Sequence, residues 1–292
     1  IHGIVEGPDQ FLGLMKRSSE LGFASSSLLL PGHGGTGEEF ARSSRQQWLE
    51  YVNAEIARYK KNYNSIILVG HSMGSLLSFL TYMESPEQII GIVAIDTPLY
   101  VRVKGRALRN NLKVGFCKEI PESDPAHALL EASSVAPCSI LTYLSWVPRM
   151  IDLFCLMKKT REVLPQVSIP TLVFHADDDE LVSASSVKCF ERTIPEKYLQ
   201  LVHLKESTHF FYGNADWDLL YYTFSHFLQS CSKFCKNFDR LSSRDKPNFF
   251  LSLYRADSIP RSDRLNSGAT SLVIKSIRIY AANFNSLDVR SG

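Results

Sequence analysis

The chain has 292 residues, of which 45% are hydrophobic and 21% are charged, and its formal net charge is +2. This length suits one large domain or two small ones, and the composition excludes a disordered or fibrous chain. The charge is unevenly spread, because residues 233–292 hold eleven Lys/Arg against five Asp/Glu, a net of +6 that leaves −4 for the rest. Nothing in this balance points to a nucleic-acid partner.

Six cysteines show neither zinc-site spacing nor a CxxC pair, so we expect reduced thiols, a cytoplasmic location and no metal. No signal peptide is visible, but the chain begins with Ile1 and we expect residues to precede it. The most apolar stretch, Val135 to Met157, holds two prolines, Arg149 and Asp152, which argues against a membrane span. The sequence does not indicate an oligomeric state.

Short apolar runs alternate with longer helical patterns up to about residue 230, which is typical of a parallel α/β sheet. The predicted strands are Phe23–Leu30, Ser65–Val69, Ile89–Ile95, Thr171–His175 and Tyr198–Leu204. Helical patterns cover Gln46–Tyr59, Ser75–Met83 and Tyr221–Leu228, and a further helix, between the last two strands, ends at Phe190–Pro195.

Three regions follow from this pattern. Residues 1–99 and 167–232 form the predicted α/β core, and residues 100–166, helix-like and interrupted by prolines, form an inserted cap. Residues 233–292 form a basic C-terminal extension in which Ser271–Ile279 has the pattern of one strand. Such a tail could recruit an acidic partner or a membrane surface, although basic tails are more often simply solvated.

The strongest chemical signal is Gly70-His71-Ser72-Met73-Gly74, which stands between a strand and a helix. A serine hydroxyl is a weak nucleophile and is presented best at a sharp strand-to-helix turn, which requires small residues two positions to either side. The helix that follows points its N-terminus at the reaction centre, so the Met73 N–H is a candidate oxyanion donor. His71 is predicted either to line the pocket or to support the turn.

A triad needs an acid and a histidine after the serine. Asp177, Asp178 and Asp179 follow a strand end, and we favour Asp179 because Leu181 and Val182 can anchor its loop. The predicted base is His209, in the loop after the strand that contains His203. The second oxyanion donor is predicted to be the Ile4 N–H in His2-Gly3-Ile4, whereas the Gly32–Gly35 loop is assigned to structure.

These motifs occur in the order of the α/β-hydrolase superfamily, and the chain most resembles the bacterial carboxylesterase and monoacylglycerol lipase group among the serine aminopeptidase-type hydrolases. The resemblance covers residues 1–230 and rests on the HG start, the PGHG loop with Trp48, GHSMG, the DDDE loop and STH. It implies an α/β-hydrolase fold with a helical cap, an ester substrate and no cofactor. The acid loops of those esterases also place the acid on Asp179.

The sequence thus predicts a serine hydrolase that cleaves short- to medium-chain carboxylic esters or monoacylglycerols through an acyl-enzyme on Ser72. The apolar character of residues 140–157 favours a substrate with an apolar acyl or alcohol group. The same triad also fits an aminopeptidase, a thioesterase or an acyltransferase, because fold and triad do not fix the substrate. A non-catalytic binding protein is disfavoured, since all three triad residue types are present.

Overall fold

A computed structural model describes residues 1–117, 119–239 and 249–250, with side chains described up to residue 233. All described residues lie in a unit that spans Ile1–Tyr254. Five parallel strands form one sheet in the order β4-β3-β2-β1-β5. The strands are β1 (Ser65–His71), β2 (Ile89–Ile95), β3 (Thr171–Ala176), β4 (Leu199–Leu204) and β5 (Phe249–Phe250).

Ten helices flank or follow these strands in the described part of the chain. They are α1 (Leu12–Glu20), α2 (Gly37–Arg42), α3 (Arg45–Lys60), α4 (Met73–Glu84), α5 (Gly105–Phe116), α6 (Ala126–Ala132), α7 (Ile140–Ser145), α8 (Val147–Val163), α9 (Ser185–Thr193) and α10 (Asn214–Asp239). Side-chain caps begin α2, α3 and α7, and at the start of α2 Thr36 and Glu39 form a capping box.

Both faces of the central strands are buried, which explains their unbroken apolar runs. In β1, Ile66 and Leu68 pack on the face covered by α3, α4 and α9, whereas Ile67 and Val69 pack on the face covered by α1 and α10. Because successive side chains of a strand alternate between faces, each strand contributes to both halves of the core. All these strands are parallel, so their carboxyl ends meet at one edge of the sheet.

The structure confirms the predicted α/β class and most of the predicted elements, including β2 at its predicted bounds. The last helix, predicted over Tyr221–Leu228, is much longer in the structure. The strand predicted over Phe23–Leu30 is wrong: in the described residues this segment has only isolated bridge positions, at Ala24 and Ser26, and the Leu30 N–H donates to the His2 Nε2. The strand predicted at Ser271–Ile279 lies outside the described residues.

Helices α5 to α8 lie between β2 and β3, within the segment predicted to be the cap. Leu156 and Met157 of α8 are buried in the core, but many apolar side chains of the segment face outward. These exposed side chains are Val103, Leu108, Leu112, Phe116, Ile140, Leu141, Leu144, Val147, Ile151 and Phe154. The division into core and cap stays an interpretation of the chain.

By length and composition alone, the helical stretch Ile140–Gln166 is apolar enough to cross a membrane, with a mean hydropathy of 1.3 over its most apolar window. One such stretch is weak support for a span. Pro148 breaks its periodicity between α7 and α8, and Asp152 forms ion pairs with Arg45 and Arg149 of the same protein.

Cysteines 117, 138, 155, 189 and 231 carry free thiols, and Cys231 is buried in the core. The Cys235 side chain lies outside the described set. The predicted reduced state of all six and the cytoplasmic location therefore stay predictions.

Removing a buried leucine from α4 tests this account of the core. Leu77 is fully buried, so we expect Leu77→Ala to lower the free energy of unfolding by about 2–5 kcal/mol, from lost burial and the cavity left behind. The matched control is Leu141→Ala in α7, where the leucine is 78% exposed and the expected change is within about 0.5 kcal/mol. Urea denaturation monitored by circular dichroism measures both; equal losses in the two variants would contradict the assignment.

Candidate active site

Ser72 occupies a strained turn between β1 and α4. Its backbone has φ 52° and ψ −123°, which L-residues seldom adopt, and its N–H donates to the Ile95 carbonyl at 2.9 Å. The flanking glycines are required by space. A Cβ at Gly70 would lie 2.4 Å from the Ser75 nitrogen, and one at Gly74 would lie 1.9 Å from the Ile1 carbonyl oxygen. The turn therefore has the shape that the sequence motif predicts.

Of the three neighbouring aspartates, only Asp179 is buried, and it contacts His209. Its Oδ2 lies 2.7 Å from the His209 Nδ1, and its Oδ1 accepts the N–H groups of Leu181 and Val182, each at 2.7 Å. Burial alone would raise the pKa of Asp179, but the His209 ring and the hydrogen bonds outweigh it and hold the pKa below its usual value. Asp179 is therefore an anion that fixes the orientation of the ring.

The other two aspartates are exposed and pair elsewhere. Asp177 lies 2.5 Å from the His203 Nδ1, and Asp178 forms ion pairs with Lys104 and Arg106. Neither carboxylate contacts His209.

His209 is fully enclosed, and its backbone is held from both sides. Its N–H donates to the Glu180 Oε2 at 3.2 Å, and its carbonyl accepts the His71 Nε2 at 3.2 Å. The rings of His209 and His71, the residue before Ser72, have centroids 4.9 Å apart. Burial lowers the pKa of His209, but Asp179, Asp96 and Glu6 together outweigh it and raise the pKa above its ordinary value.

His71 and Glu6 form a buried pair that sequence reasoning missed. Glu6 Oε2 lies 2.8 Å from the His71 Nδ1 and also accepts the Gly3 N–H and the Gln10 amide, each at 2.7 Å. Burial opposes the charge of Glu6, yet the His71 ring outweighs it and lowers its pKa to about 2. Both nitrogens of His71 face acceptors, the Glu6 carboxylate and the His209 carbonyl. This pair ties the Gly3 loop, the Ser72 turn and the His209 loop together.

The loop that carries Ile4 is shaped by two histidines. His33 Nε2 accepts the Val5 N–H at 3.1 Å, and His2 Nε2 accepts the Leu30 N–H at 3.0 Å. His33 also packs against Phe40 and Trp48, so the Gly32–Gly35 loop supports this region as structure. Within the described residues, the N–H groups of Ile4 and Met73 form no hydrogen bond. Both donors are therefore available to an incoming oxygen.

A second carboxylate lies beside Asp179. Asp96 follows directly after β2, has φ 46° and is fully buried. Its Oδ1 accepts the Ala176 N–H and its Oδ2 accepts the Tyr212 hydroxyl, both at 2.7 Å. Sequence reasoning missed Asp96, although the argument that selects Asp179, a carboxylate just past a strand's C-terminal end, applies equally to it.

Two groups of side chains come close enough to hold a metal ion by distance alone. They are Glu6, His71 and His209, and Asp96, Asp179 and His209, with donor atoms within 4.8 Å of one another. Hydrogen bonds among these groups and to the neighbouring backbone already engage most of their donor and acceptor atoms, so we assign them to one polar network.

With this geometry in hand, the chain can be compared with known proteins. Residues 1–113 match the family model described as the alpha/beta hydrolase fold. A thermostable monoacylglycerol lipase from Bacillus sp. (strain H-257) is 21% identical over 72% of this chain and 80% of that protein.

Two solved structures have a similar fold. A chain from the metagenome-derived lipolytic enzymes LipS and LipT has a TM-score of 0.60 and 21% identity, covering 78% of this chain and 91% of its own. The monoacylglycerol lipase of Paleococcus ferrophilus has a TM-score of 0.59 and 16% identity, covering 79% and 93%.

The parallel sheet, the strained serine turn and the family match together define a protein of the α/β-hydrolase fold. Within that fold, the chain is similar to monoacylglycerol lipases and esterases, as its motifs predict.

Breaking the Glu6–His71 pair tests its role as a tie between loops. We expect Glu6→Gln to cost about 3–5 kcal/mol of unfolding free energy at neutral pH, because it removes the charged partner of a buried pair. Glu55→Gln, which removes a partly exposed ion pair with Arg58, is the control and is expected to cost about 0–1 kcal/mol.

The difference in unfolding free energy between the wild type and Glu6→Gln should depend on pH with a defined sign. The folded pKa of Glu6 is depressed from 4.5 to about 2, so its contribution is complete above pH 4.5 and is lost as the pH falls toward 2. Chemical denaturation of both proteins at several pH values measures it. A difference that stays constant across this window, or that grows on acidification, would refute the ion pair.

Proposed function

We propose that this protein is a serine ester hydrolase that forms an acyl-enzyme on Ser72. The observation that carries the proposal is the buried Asp179–His209 hydrogen bond, with the His209 ring centroid 4.9 Å from that of His71, the residue before a serine held at positive φ. A catalytic serine needs an adjacent base, and that base needs a third group to hold its tautomer. The order of these residues along the chain is serine, acid and histidine, as in the α/β-hydrolase fold.

The proposed reaction is an acyl transfer in two steps. His209 Nε2 takes the Ser72 proton as Oγ attacks the ester carbonyl, and the resulting imidazolium is stabilised by Asp179 through Nδ1. The oxyanion of the tetrahedral intermediate accepts the N–H groups of Ile4 and Met73, each contributing about 10²–10³ in rate. His209 then protonates the leaving alcohol, and a water activated by the same ring hydrolyses the acyl-enzyme.

The proposed substrates are short- to medium-chain carboxylic esters or monoacylglycerols. The similarity to lipases and esterases and the apolar side chains of residues 100–166 both support an ester with an apolar acyl or alcohol part. Water-exposed apolar residues on α7 and α8 would suit a substrate that is poorly soluble in water.

Labelling by a fluorophosphonate probe tests the nucleophile directly. We expect the wild type to label and to hydrolyse p-nitrophenyl esters with an optimum between acetate and laurate. Ser72→Ala should abolish labelling and lower ester turnover by at least about 10⁴-fold, because the nucleophile is gone. Ser185→Ala, at an exposed serine, serves as the matched control and should keep both activities.

Two results would contradict the proposal. One is a folded wild type that neither labels nor turns over any ester. The other is turnover that survives Ser72→Ala. Turnover of thioesters or N-terminal peptide bonds in preference to oxygen esters would keep the nucleophile and change the substrate class.

A further inference from the structure

Asp96 is buried where the serine, the acid and the base converge. The residue before it, Ile95, supplies the carbonyl that accepts the Ser72 N–H. Its own N–H donates to the Phe174 carbonyl of β3, and its Oδ1 accepts the Ala176 N–H at the end of that strand. Asp96 thus bridges the ends of the two strands that lead into Ser72 and Asp179, with its carboxylate aimed into the site.

The surroundings of Asp96 contain few groups that could neutralise a charge. Tyr212 donates its hydroxyl from the segment before α10, and His175 Nδ1 of β3 lies 3.9 Å from Oδ1. Asp179, from the loop after β3, is a like charge, while the rings of His209 and His71 are the groups that favour the charged form of Asp96. His71 is paired with Glu6 at 2.8 Å, so His209 is the ring left for both aspartates.

A charge deep in a protein persists only if a partner or a hydrogen bond compensates it. Asp179 alone already matches the one charge that His209 acquires when it takes a proton. A second buried carboxylate, with an oxygen within 4.8 Å of both Asp179 and His209, adds negative potential at the ring.

From this arrangement we infer that Asp96 is a positioning residue of the acyl-transfer site, which stabilises the His209 imidazolium and sets the pH at which His209 works as a base. The inference rests on the proposed function for its kinetic meaning. The effect on the ring itself is a property of the folded protein.

The direction of the effect follows from the charges. Burial and Asp179 raise the pKa of Asp96 to about 6, so Asp96 is neutral below that pH and an anion above it. As an anion it favours the charged form of His209, which must be neutral to accept the Ser72 proton. In the wild type, kcat/KM should therefore rise with pH only in the range above the ordinary histidine pKa.

The variant that tests this is Asp96→Asn. Asparagine keeps the shape and an acceptor for the Ala176 N–H, while its amide can donate to the Tyr212 oxygen. We expect the rising limb of kcat/KM against pH to move at least about one unit toward acid, because a carboxylate about 5 Å away shifts a histidine by that much. Rate at the alkaline plateau should fall several-fold, since the imidazolium formed in the transition state loses support.

Asp178→Asn is the matched control. Asp178 lies next to Asp179 in the same loop, but it is exposed and paired with Lys104 and Arg106. Removing the Asp178 carboxylate should leave the rising limb of kcat/KM against pH unchanged.

A second measurement does not depend on activity, and its wild-type part does not need the Asp96 variant. In ¹⁵N-histidine NMR of the wild type, His209 is assigned by its loss in His209→Gln. Its ring shifts should show a main titration well above pH 6.5 and a smaller inflection near pH 6, where Asp96 ionises. In Asp96→Asn the inflection should vanish and the main titration should move to lower pH.

The outcomes separate the two proposals. If the wild type labels at Ser72 but Asp96→Asn moves neither the kinetic limb nor the His209 titration, Asp96 is only structural and the inference is overturned. A wild-type His209 titration without an inflection near pH 6 also overturns it. If no ester is turned over but the NMR titrations behave as expected, the proposed function fails while the effect of Asp96 on His209 holds.

Discussion

Three carboxylates, those of Glu6, Asp96 and Asp179, are buried with the rings of His71 and His209 at the carboxyl edge of the parallel sheet. Charges so far from water are tolerated only in compensating arrangements, because an unpaired one costs several kcal/mol. The network meets this constraint with short contacts, 2.8 Å between Glu6 and His71 and 2.7 Å between Asp179 and His209. These two contacts join the segments that carry Glu6, Ser72, Asp179 and His209.

Hydrogen bonds also hold the backbone around the site. Ser72 and Asp96 both adopt positive φ, and each is stabilised by a hydrogen bond to a neighbouring strand end. The His209 loop is clamped by Glu180 and His71, and Asp216 at the start of α10 accepts the N–H groups of Lys205 and Glu206 below it. Strain at Ser72 is thereby offset by hydrogen bonds to the sheet, so its side chain can be presented without a flexible turn.

Local patterns predicted much of this architecture. Strands β1 to β4 were predicted because short apolar runs bounded by turn residues are typical of buried strands. The serine turn was predicted because the space around it requires glycines. The segment Phe23–Leu30 also ends in an apolar run, but its Leu30 N–H donates to a loop histidine, and composition does not show that choice. Asp179 was chosen from local cues that apply to Asp96 as well, whereas Glu6 shows its role only when distant segments are brought together.

This dependence on distant segments has a consequence for how the molecule is made. The contacts at the site join residues separated by 65, 116 and 138 positions, for Glu6–His71, Asp96–Tyr212 and His71–His209. Closing such long loops is entropically costly and slow, while helices form from neighbours within microseconds. During synthesis on the ribosome, these contacts cannot all form until Tyr212 has emerged. Helices nearer the N-terminus should therefore form well before the site is assembled. Until then, a partly synthesised chain holds Glu6 and Asp96 in water, where their charges need no partner.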